Sequence, residues 1–174
     1  MKQILSKLVI IFTFTIFSSN LYSDVPYYVD FKLILNQSVA GKKAQSSLKS
    51  KLNQGLKKLK EREKVLLEEE KKIIQQKKLI KPEDYKSKVN DLRSKVLSLQ
   101  KERNKLLENV SNQRAKAKTE LLKNLNPIIS EYMQSKKIRM VVDKKSILMA
   151  DQTLDITKEI MDLLNKRLKS IKLN

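Results

Sequence analysis

A long stretch without helix-breaking residues constrains this chain most strongly. From Lys42 to Leu79 there is no Pro and a single Gly, Gly55. Apolar residues repeat there at a strict interval of seven, at Leu52, Leu59, Leu66, Ile73 and Ile80. A second apolar position accompanies this repeat only near its start, at Leu48 and Leu56. Such a repeat predicts a long helix that packs against another helix along one narrow seam.

The repeat is interrupted at residues 80–84, and the chain then continues with a second helical pattern. Pro82 disfavours helix at the residue before it and suits the first turn of a following helix. The second stripe alternates intervals of four and three, at Tyr85, Val89, Leu92, Val96, Leu99, Arg103, Leu106 and Val110. Because one short turn joins the two helices, they must run antiparallel. We therefore expect a helical hairpin arm over residues 41–125, with its tip near 80–84. Pro127 predicts a kink or an interruption of the returning helix.

Shorter elements flank the arm on both sides. The odd-numbered residues from Val25 to Leu33 are apolar, which predicts a half-buried strand. Residues 138–143 and 147–149 predict two more short strands, and a final helix follows, capped by Asp155 or Thr157. We expect the first strand to pair with the later ones, so that residues 24–40 and 126–174 form a small body. The predicted fold class is mainly α with a small β part (α+β).

This small body predicts self-association. It has 66 residues and neither Cys nor His for a disulfide or a common zinc site, so its own core is marginal. Subunits that share one core and cover each other's sheet edges would stabilise it, in a number that the residues alone leave open. The predicted oligomer interface consists of apolar body residues: Tyr27, Val29, Phe31, Ile138, Met140, Val142, Ile147 and Met149.

The N-terminus has the pattern of a secretory signal peptide. Lys2 and Lys7 precede the apolar run from Leu8 to Phe17, and small or polar residues follow as far as Ser23. That run is shorter than the roughly 20 apolar residues of a membrane-spanning helix. We expect residues 1–23 to be removed and the remaining chain to be exported as a soluble protein. The absence of Cys means that no disulfide stabilises it.

The residue types that the chain lacks restrict its chemistry. It has no His and no Cys, which excludes Ser-His-Asp and Cys-His nucleophile pairs and the common tetrahedral zinc sites. Its only glycines are Gly41 and Gly55, so a glycine-rich phosphate-binding loop is excluded as well. An enzyme based on carboxylates or Lys stays open in principle, but no pattern places such groups together. The sequence therefore favours a protein without catalytic activity, cofactor or metal.

Positive charge is concentrated in the arm. The chain has 38 Lys or Arg against 19 Asp or Glu, and residues 42–125 alone contain 25 against 11. An ordinary solvated helix surface balances Lys with Glu more evenly. The arm also has apolar residues outside its main seam. The candidate binding residues combine both kinds: Lys57, Lys58, Leu67, Lys71, Lys72, Ile74, Lys77, Lys78, Leu79, Lys88, Arg93, Lys95, Leu97, Lys101, Lys105 and Leu107.

Two segments resemble one known family. Residues Val29–Gln45, VDFKLILNQSVAGKKAQ, resemble the opening of the Skp/OmpH family of periplasmic chaperones. Residues Met140–Asp151, MVVDKKSILMAD, followed by LDIT at Leu154–Thr157, resemble its closing hairpin and helix cap. The resemblance implies a homotrimer shaped like a jellyfish, with helical tentacles around a cavity. It also implies an ATP-independent periplasmic holdase whose partners are unfolded outer-membrane β-barrel proteins, which the candidate arm residues would contact. Met149 stands where the family often has a tyrosine.

Two other functions compete with this interpretation. A pI near 10 is typical of nucleic-acid-binding proteins, but the signal peptide and the near absence of aromatic residues in the arm argue against specific nucleic acid binding. A non-enzymatic coiled-coil spacer of the cell envelope stays open. Its basic surface would bind anionic lipid or lipopolysaccharide.

Overall fold

A computed structural model describes residues 25–173, and the chain is mainly helical with one two-stranded sheet, as the sequence predicts. The predicted signal peptide, residues 1–23, lies outside the described residues. In chain order the elements are β1 (Tyr27–Val29), α1 (Phe31–Gln37), α2 (Val39–Gln76), α3 (Pro82–Lys136), β2 (Val141–Asp143) and α4 (Thr157–Arg167), with 3-10 turns at Lys144–Ser146 and Gln152–Leu154. Across residues 25–173, no helix is long and apolar enough to cross a bilayer.

Helices α2 and α3 form the long antiparallel hairpin. The 38 residues of α2 extend about 57 Å at a rise of 1.5 Å per residue. This helix begins after Ser38, whose hydroxyl accepts a hydrogen bond from the backbone N–H of Gly41 at 3.2 Å. At the tip, Pro82 occupies the first turn of α3, followed by Glu83 and Asp84. Negative side chains at that position interact favourably with the helix dipole.

Helix α3 belongs to both parts of the molecule. It runs for 55 residues without a break, and Pro127 lies inside it, so the predicted interruption is wrong. Leu125 and Ile128, which flank Pro127, are both buried in the core of the body. Tertiary packing on both sides of the proline therefore holds the helix together. It ends at Lys137, which adopts a left-handed conformation with φ 56°.

The two ends of the chain meet in a small parallel sheet. Strand β1 pairs with β2, with Tyr27 opposite Val141 and Val29 opposite Asp143. A further isolated bridge joins Tyr28 to Asp155. The predicted pairing of the N-terminal strand with the C-terminal part of the chain is thus confirmed. This pairing places the sheet at the base of the hairpin.

The strands are shorter than the sequence predicts. Strand β1 ends at Val29 because the carboxylate of Asp30 accepts a hydrogen bond from Leu33 N at 2.7 Å and caps α1. Of residues 138–143, only 141–143 form a strand, and the strand predicted at 147–149 is absent from the described chain. There the carboxylate of Asp143 accepts a hydrogen bond from Lys145 N and starts a 3-10 turn. The chain consequently leaves the sheet before residue 147.

The core of the body consists of residues from strand β1 and from three helices, α1, α3 and α4. Its fully buried side chains include Val29, Ile34, Leu125, Ile128, Ile160 and Leu164. Helix α4 closes this core and begins at Thr157, whose backbone N–H donates to the carboxylate of Asp155 at 2.9 Å. By its backbone the N-cap of α4 is Ile156, which makes no side-chain capping bond. Of the two predicted caps, Asp155 supplies the carboxylate that bonds to the first N–H of the helix. Ser38 is also fully buried, so the body core continues up to the base of the arm.

Candidate functional site

The arm exposes most of its surface because only one seam joins its two helices. Leu59 and Ile73 on α2 are buried against α3, where Leu99 and Val110 are buried in turn. The neighbouring members of the two repeats, Leu52, Leu66, Leu92 and Leu106 among them, are half-buried. The predicted seam is therefore confirmed at these positions, whereas Leu56 and Val96, which also fit the repeats, are exposed. Everything outside it is available to contact another molecule.

One flank of the seam is closed by polar contacts between the helices; we call it the ladder flank. On α2 its residues Arg62, Glu69 and Gln76 repeat at seven, and each bonds to α3. The hydrogen bond from Arg62 lowers the pKa of the Glu102 carboxyl, which keeps that group charged. The four rungs of the ladder join Lys51 to Gln113 (3.1 Å), Arg62 to Glu102, Glu69 to Lys95, and Gln76 to Lys88 (2.7 Å).

The opposite flank carries an apolar groove with a volume of about 630 Å³. Three of its apolar side chains remain largely exposed: Leu67 at 51%, Val96 at 48% and Leu97 at 63%. Deeper in the groove lie Leu66, Leu92 and Leu99, and charged or amide side chains form its rim: Glu63, Glu70, Arg93, Gln100 and Arg103. The groove therefore offers an apolar surface that is surrounded by polar groups.

A charged residue occupies a seam position beside the groove. Arg103 falls on the apolar repeat of α3 and lines the groove, and its guanidinium pairs with Glu63 at 3.4 Å. Its Nε is buried without a hydrogen-bond partner among residues 25–173. The seam therefore includes a polar side chain on this side.

The structure places all the predicted binding residues on the surface of the arm. Each of the sixteen is exposed: Lys57, Lys58, Leu67, Lys71, Lys72, Ile74, Lys77, Lys78, Leu79, Lys88, Arg93, Lys95, Leu97, Lys101, Lys105 and Leu107. They do not form a single patch. Leu67, Arg93 and Leu97 share the groove, whereas Lys88 and Lys95 belong to the ladder flank.

Sequence reasoning missed several exposed apolar residues. Val96 fits the seam repeat but is 48% exposed and lines the groove. Leu56 and Val65 are exposed as well. The spacing of Leu56, Leu67 and Ile74, at intervals of eleven and seven, places them on one helix face beside the seam. This spacing could have predicted from the sequence that apolar residues line one side of the seam.

The predicted interface residues of the body fall into three groups by exposure. Val29 is fully buried in the core of its own chain, so its side chain does not reach the surface. Met140 and Met149 are exposed, at 56% and 90%, and Leu148 between them is completely exposed. The other predicted residues, Tyr27, Phe31, Ile138, Val142 and Ile147, are half-buried. A shallow groove of about 410 Å³ lies beside Phe31, Met133 and Met140.

Comparisons with known proteins agree with this architecture. The family model described as "Outer membrane protein (OmpH-like)" matches residues 27–164. A crystal structure of an OmpH-like outer membrane chaperone from Caulobacter crescentus superimposes with a TM-score of 0.79 at 21% sequence identity. The match covers 86% of this chain and 90% of the other. At that identity the likeness establishes the fold alone. A search of curated proteins finds no significant match.

Proposed function

Because this chain belongs to the OmpH-like outer membrane protein family, we propose that it is an ATP-independent holdase of the periplasm. In this role it binds unfolded outer-membrane β-barrel proteins in a basic cavity between its helical arms and prevents their aggregation before membrane insertion. The observation that carries the proposal is the surface of the arm. It combines a large excess of exposed Lys with apolar side chains that also remain exposed.

This surface suits an unfolded client better than a folded ligand. Barrel strands alternate apolar and polar residues, so an unfolded barrel protein presents many short apolar segments. Each exposed ion pair contributes only about 0–1 kcal/mol. Many weak contacts on several arms still add up to tight binding, because the first contact raises the effective concentration for the others. A holdase of this kind needs no enclosed pocket and no nucleotide.

We further propose that three copies assemble through the body, residues 24–40 and 126–174, while residues 41–125 form the arms and residues 1–23 direct export. Support for assembly comes from the exposed side chains of Met140, Leu148 and Met149. Large apolar side chains that are exposed on a small body favour burial in an interface. In the trimer the arms would surround a common cavity.

Aggregation of a client tests the holdase function directly. A urea-unfolded outer-membrane barrel protein is diluted into buffer with or without the mature chain, at a few-fold excess and without nucleotide. Light scattering is expected to fall when the chain is present, and the protection is expected to weaken at high salt because screening reduces the attraction between charges. Unchanged scattering with several barrel clients would contradict the proposal.

Binding to anionic lipid or lipopolysaccharide is a second candidate, and the arm tip favours it. Leu79 is 81% exposed, and Lys77, Lys78 and Lys81 surround it in the sequence. An exposed leucine among lysines matches the border between anionic headgroups and acyl chains. Flotation with anionic vesicles, compared with neutral vesicles, measures this binding. Stable flotation without any protection of clients would favour an envelope spacer over a holdase.

A further inference from the structure

The two flanks of the arm differ in apolar exposure. Beside the groove, exposed apolar side chains follow one face of each helix; we call this side the open flank. On α2 they are Leu56, Leu67 and Ile74, and on α3 they are Val96, Leu97 and Leu107. Leu56 and Ile74 extend the face of the groove residues Glu63, Leu67 and Glu70, and Leu107 lies four residues from Arg103. The ladder flank instead carries the four polar rungs.

The flanks also differ in how their cations are engaged. On the ladder flank Lys51, Arg62, Lys88 and Lys95 each bond to a side chain of the opposite helix. On the open flank Arg103 pairs with Glu63, but Lys60 and Arg93 form no ion pair with any described residue. These two cations are therefore free to attract carboxylates of another molecule. Its apolar side chains lie within reach of the same molecule.

We propose that the open flank is the surface on which clients dock, and that its occupant is one extended, amphipathic strand segment of an unfolded barrel protein. This inference rests on the holdase function and specifies its site. From Leu56 to Ile74 the flank spans 18 residues of helix, about 27 Å. An extended chain covers that length with about eight residues. A transmembrane β-strand has about 9–11 residues, and every second side chain points to one apolar face. The apolar face of such a strand segment fits the groove of the arm. Carboxylates of the same segment can then reach the free cations of the open flank.

A second copy of the arm is a poorer occupant. Residues 42–125 carry 25 Lys or Arg against 11 Asp or Glu, so two arms repel each other at close range. A strand segment that carries carboxylates is instead attracted to the positively charged arm. Charge complementarity therefore selects the client over arm-to-arm closure.

Site-specific photo-crosslinking tests the assignment, and the chain provides a matched control. Val65 is 65% exposed and lies two residues before Leu67, about 200° around the same helix. A benzophenone amino acid is placed at 65, 67 or 97 in the full mature chain, which is then mixed with a urea-unfolded barrel protein. We expect strong crosslinks to the client from 67 and 97 and weak ones from 65. Equal yields from 65 and 67 would overturn the assignment, and so would crosslinks from 67 to a second arm.

Two serine variants supply an independent readout. We expect Leu67→Ser to weaken client binding about threefold, since one half-exposed leucine no longer gains burial. Val65→Ser is expected to leave the affinity unchanged. Both side chains are exposed, so helix content measured by circular dichroism serves as the folding control. If both variants bind like the parent chain while aggregation is still suppressed, the flank assignment is wrong and the holdase function stands. If the parent chain fails to suppress aggregation, the proposed function itself is wrong.

The nature of the occupant is tested with peptides. A ten-residue peptide with strict alternation of apolar and polar residues, two of them Asp, is compared with a peptide of the same composition in which the apolar residues are consecutive. Tighter binding of the alternating peptide, and its loss in Leu67→Ser, is the expected result. Equal binding of both peptides would overturn the strand as the occupant.

Discussion

The body and the arm of this molecule use apolar residues in opposite ways. In the body, Leu125, Ile160 and Leu164 are completely removed from water and pack in a single cluster. In the arm, two helices share one seam, and apolar side chains such as Leu67 and Leu97 remain more than half exposed. Burial in the body stabilises a unique fold, whereas exposure in the arm provides surface for contacts. The same residue type therefore stabilises the fold in one region and, in the proposed function, contacts clients in the other.

The body and the arm also differ in their balance of positive and negative charge. Residues 24–40 and 126–174 contain 11 Lys or Arg against 8 Asp or Glu, whereas residues 42–125 contain 25 against 11. A nearly balanced surface suits the self-association that we propose for the body. A strongly positive surface suits capture of many different acidic or amphipathic chains, since electrostatic attraction acts without a fixed geometry. Four changes test this division of roles.

The largest expected effect comes from the same truncation made in each region. Leu125→Ala removes a completely buried side chain, and we expect it to lower the free energy of unfolding by about 3 kcal/mol. Leu59→Ala removes a seam side chain that is also buried but lies between only two helices, so a smaller loss of about 2 kcal/mol is expected. Urea unfolding followed by circular dichroism measures both. Equal losses would show that the arm is packed as firmly as the body.

The two glycines provide a second contrast. A Cβ at Gly41 would collide with the backbone carbonyl of Leu35, whereas at Gly55 it would meet the flexible end of Leu106. We expect Gly41→Ala to destabilise the chain by about 2 kcal/mol, because the junction between α1 and α2 must move. Gly55→Ala is expected to be close to neutral, since alanine favours helix by about 1 kcal/mol and offsets the crowding. Thermal unfolding of both variants checks this, and a larger loss at Gly55 would contradict it.

Removing positive charges from one region at a time tests whether client binding depends on the arm or on the body. Replacing Lys57, Lys58, Lys71 and Lys72 by Gln removes four positive charges from the arm. We expect client binding to weaken about tenfold, or about 1.4 kcal/mol, from four contacts of a few tenths each. The matched control replaces Lys136, Lys158, Lys166 and Lys169 of the body, all exposed, and removes the same total charge. If both variants lose the same affinity, net charge rather than the arm surface governs binding.

The smallest effect concerns acid stability of the body. Burial raises the pKa of the Asp155 carboxyl, but hydrogen bonds from Thr157 and the nearby Lys144 outweigh it, so the pKa is lowered overall. A carboxyl with a lower pKa in the folded state contributes stability above its unfolded pKa of about 4. That contribution disappears as the pH falls through the folded value. We expect Asp155→Asn to be less stable than the parent chain at neutral pH, and the difference to shrink below about pH 4. Urea unfolding at a series of pH values measures this, and a difference independent of pH would contradict it.

The sequence was sufficient for the arm because its pattern is local and long. The repeat of seven at Leu59, Leu66 and Ile73 defined both the helix and its seam. The amino-acid composition also indicated the basic surface of the arm, since it gives the net charge directly. Competing local signals explain the errors in the body. Phe31, Ile34 and Leu35 fit helical spacing as well as Phe31 and Leu33 fit a strand, and the capping bond from Leu33 N to Asp30 decides in favour of the helix.

Other features depend on contacts between distant residues and were therefore beyond sequence patterns. Pro127 indicates a helix break when considered alone, yet burial of Leu125 and Ile128 holds α3 continuous. The groove arises only when Leu67 of one helix meets Val96 and Leu97 of the other. The polar rungs likewise join residues about 12 to 62 positions apart. The register between the two helices of the hairpin therefore determines which flank is open. The spacing of apolar residues within each helix does not determine that register.

The most direct test of the central claim is a binding titration monitored by client fluorescence. This chain contains no Trp, so the tryptophan emission of an unfolded barrel protein reports on the client alone. The mature chain is added without nucleotide at low and at high salt. If the arms bind unfolded clients, we expect a saturable blue shift of the emission, with weaker binding at high salt. Emission that stays unchanged at saturating concentrations of the chain, for several barrel clients, would contradict a role of the arms in binding unfolded proteins.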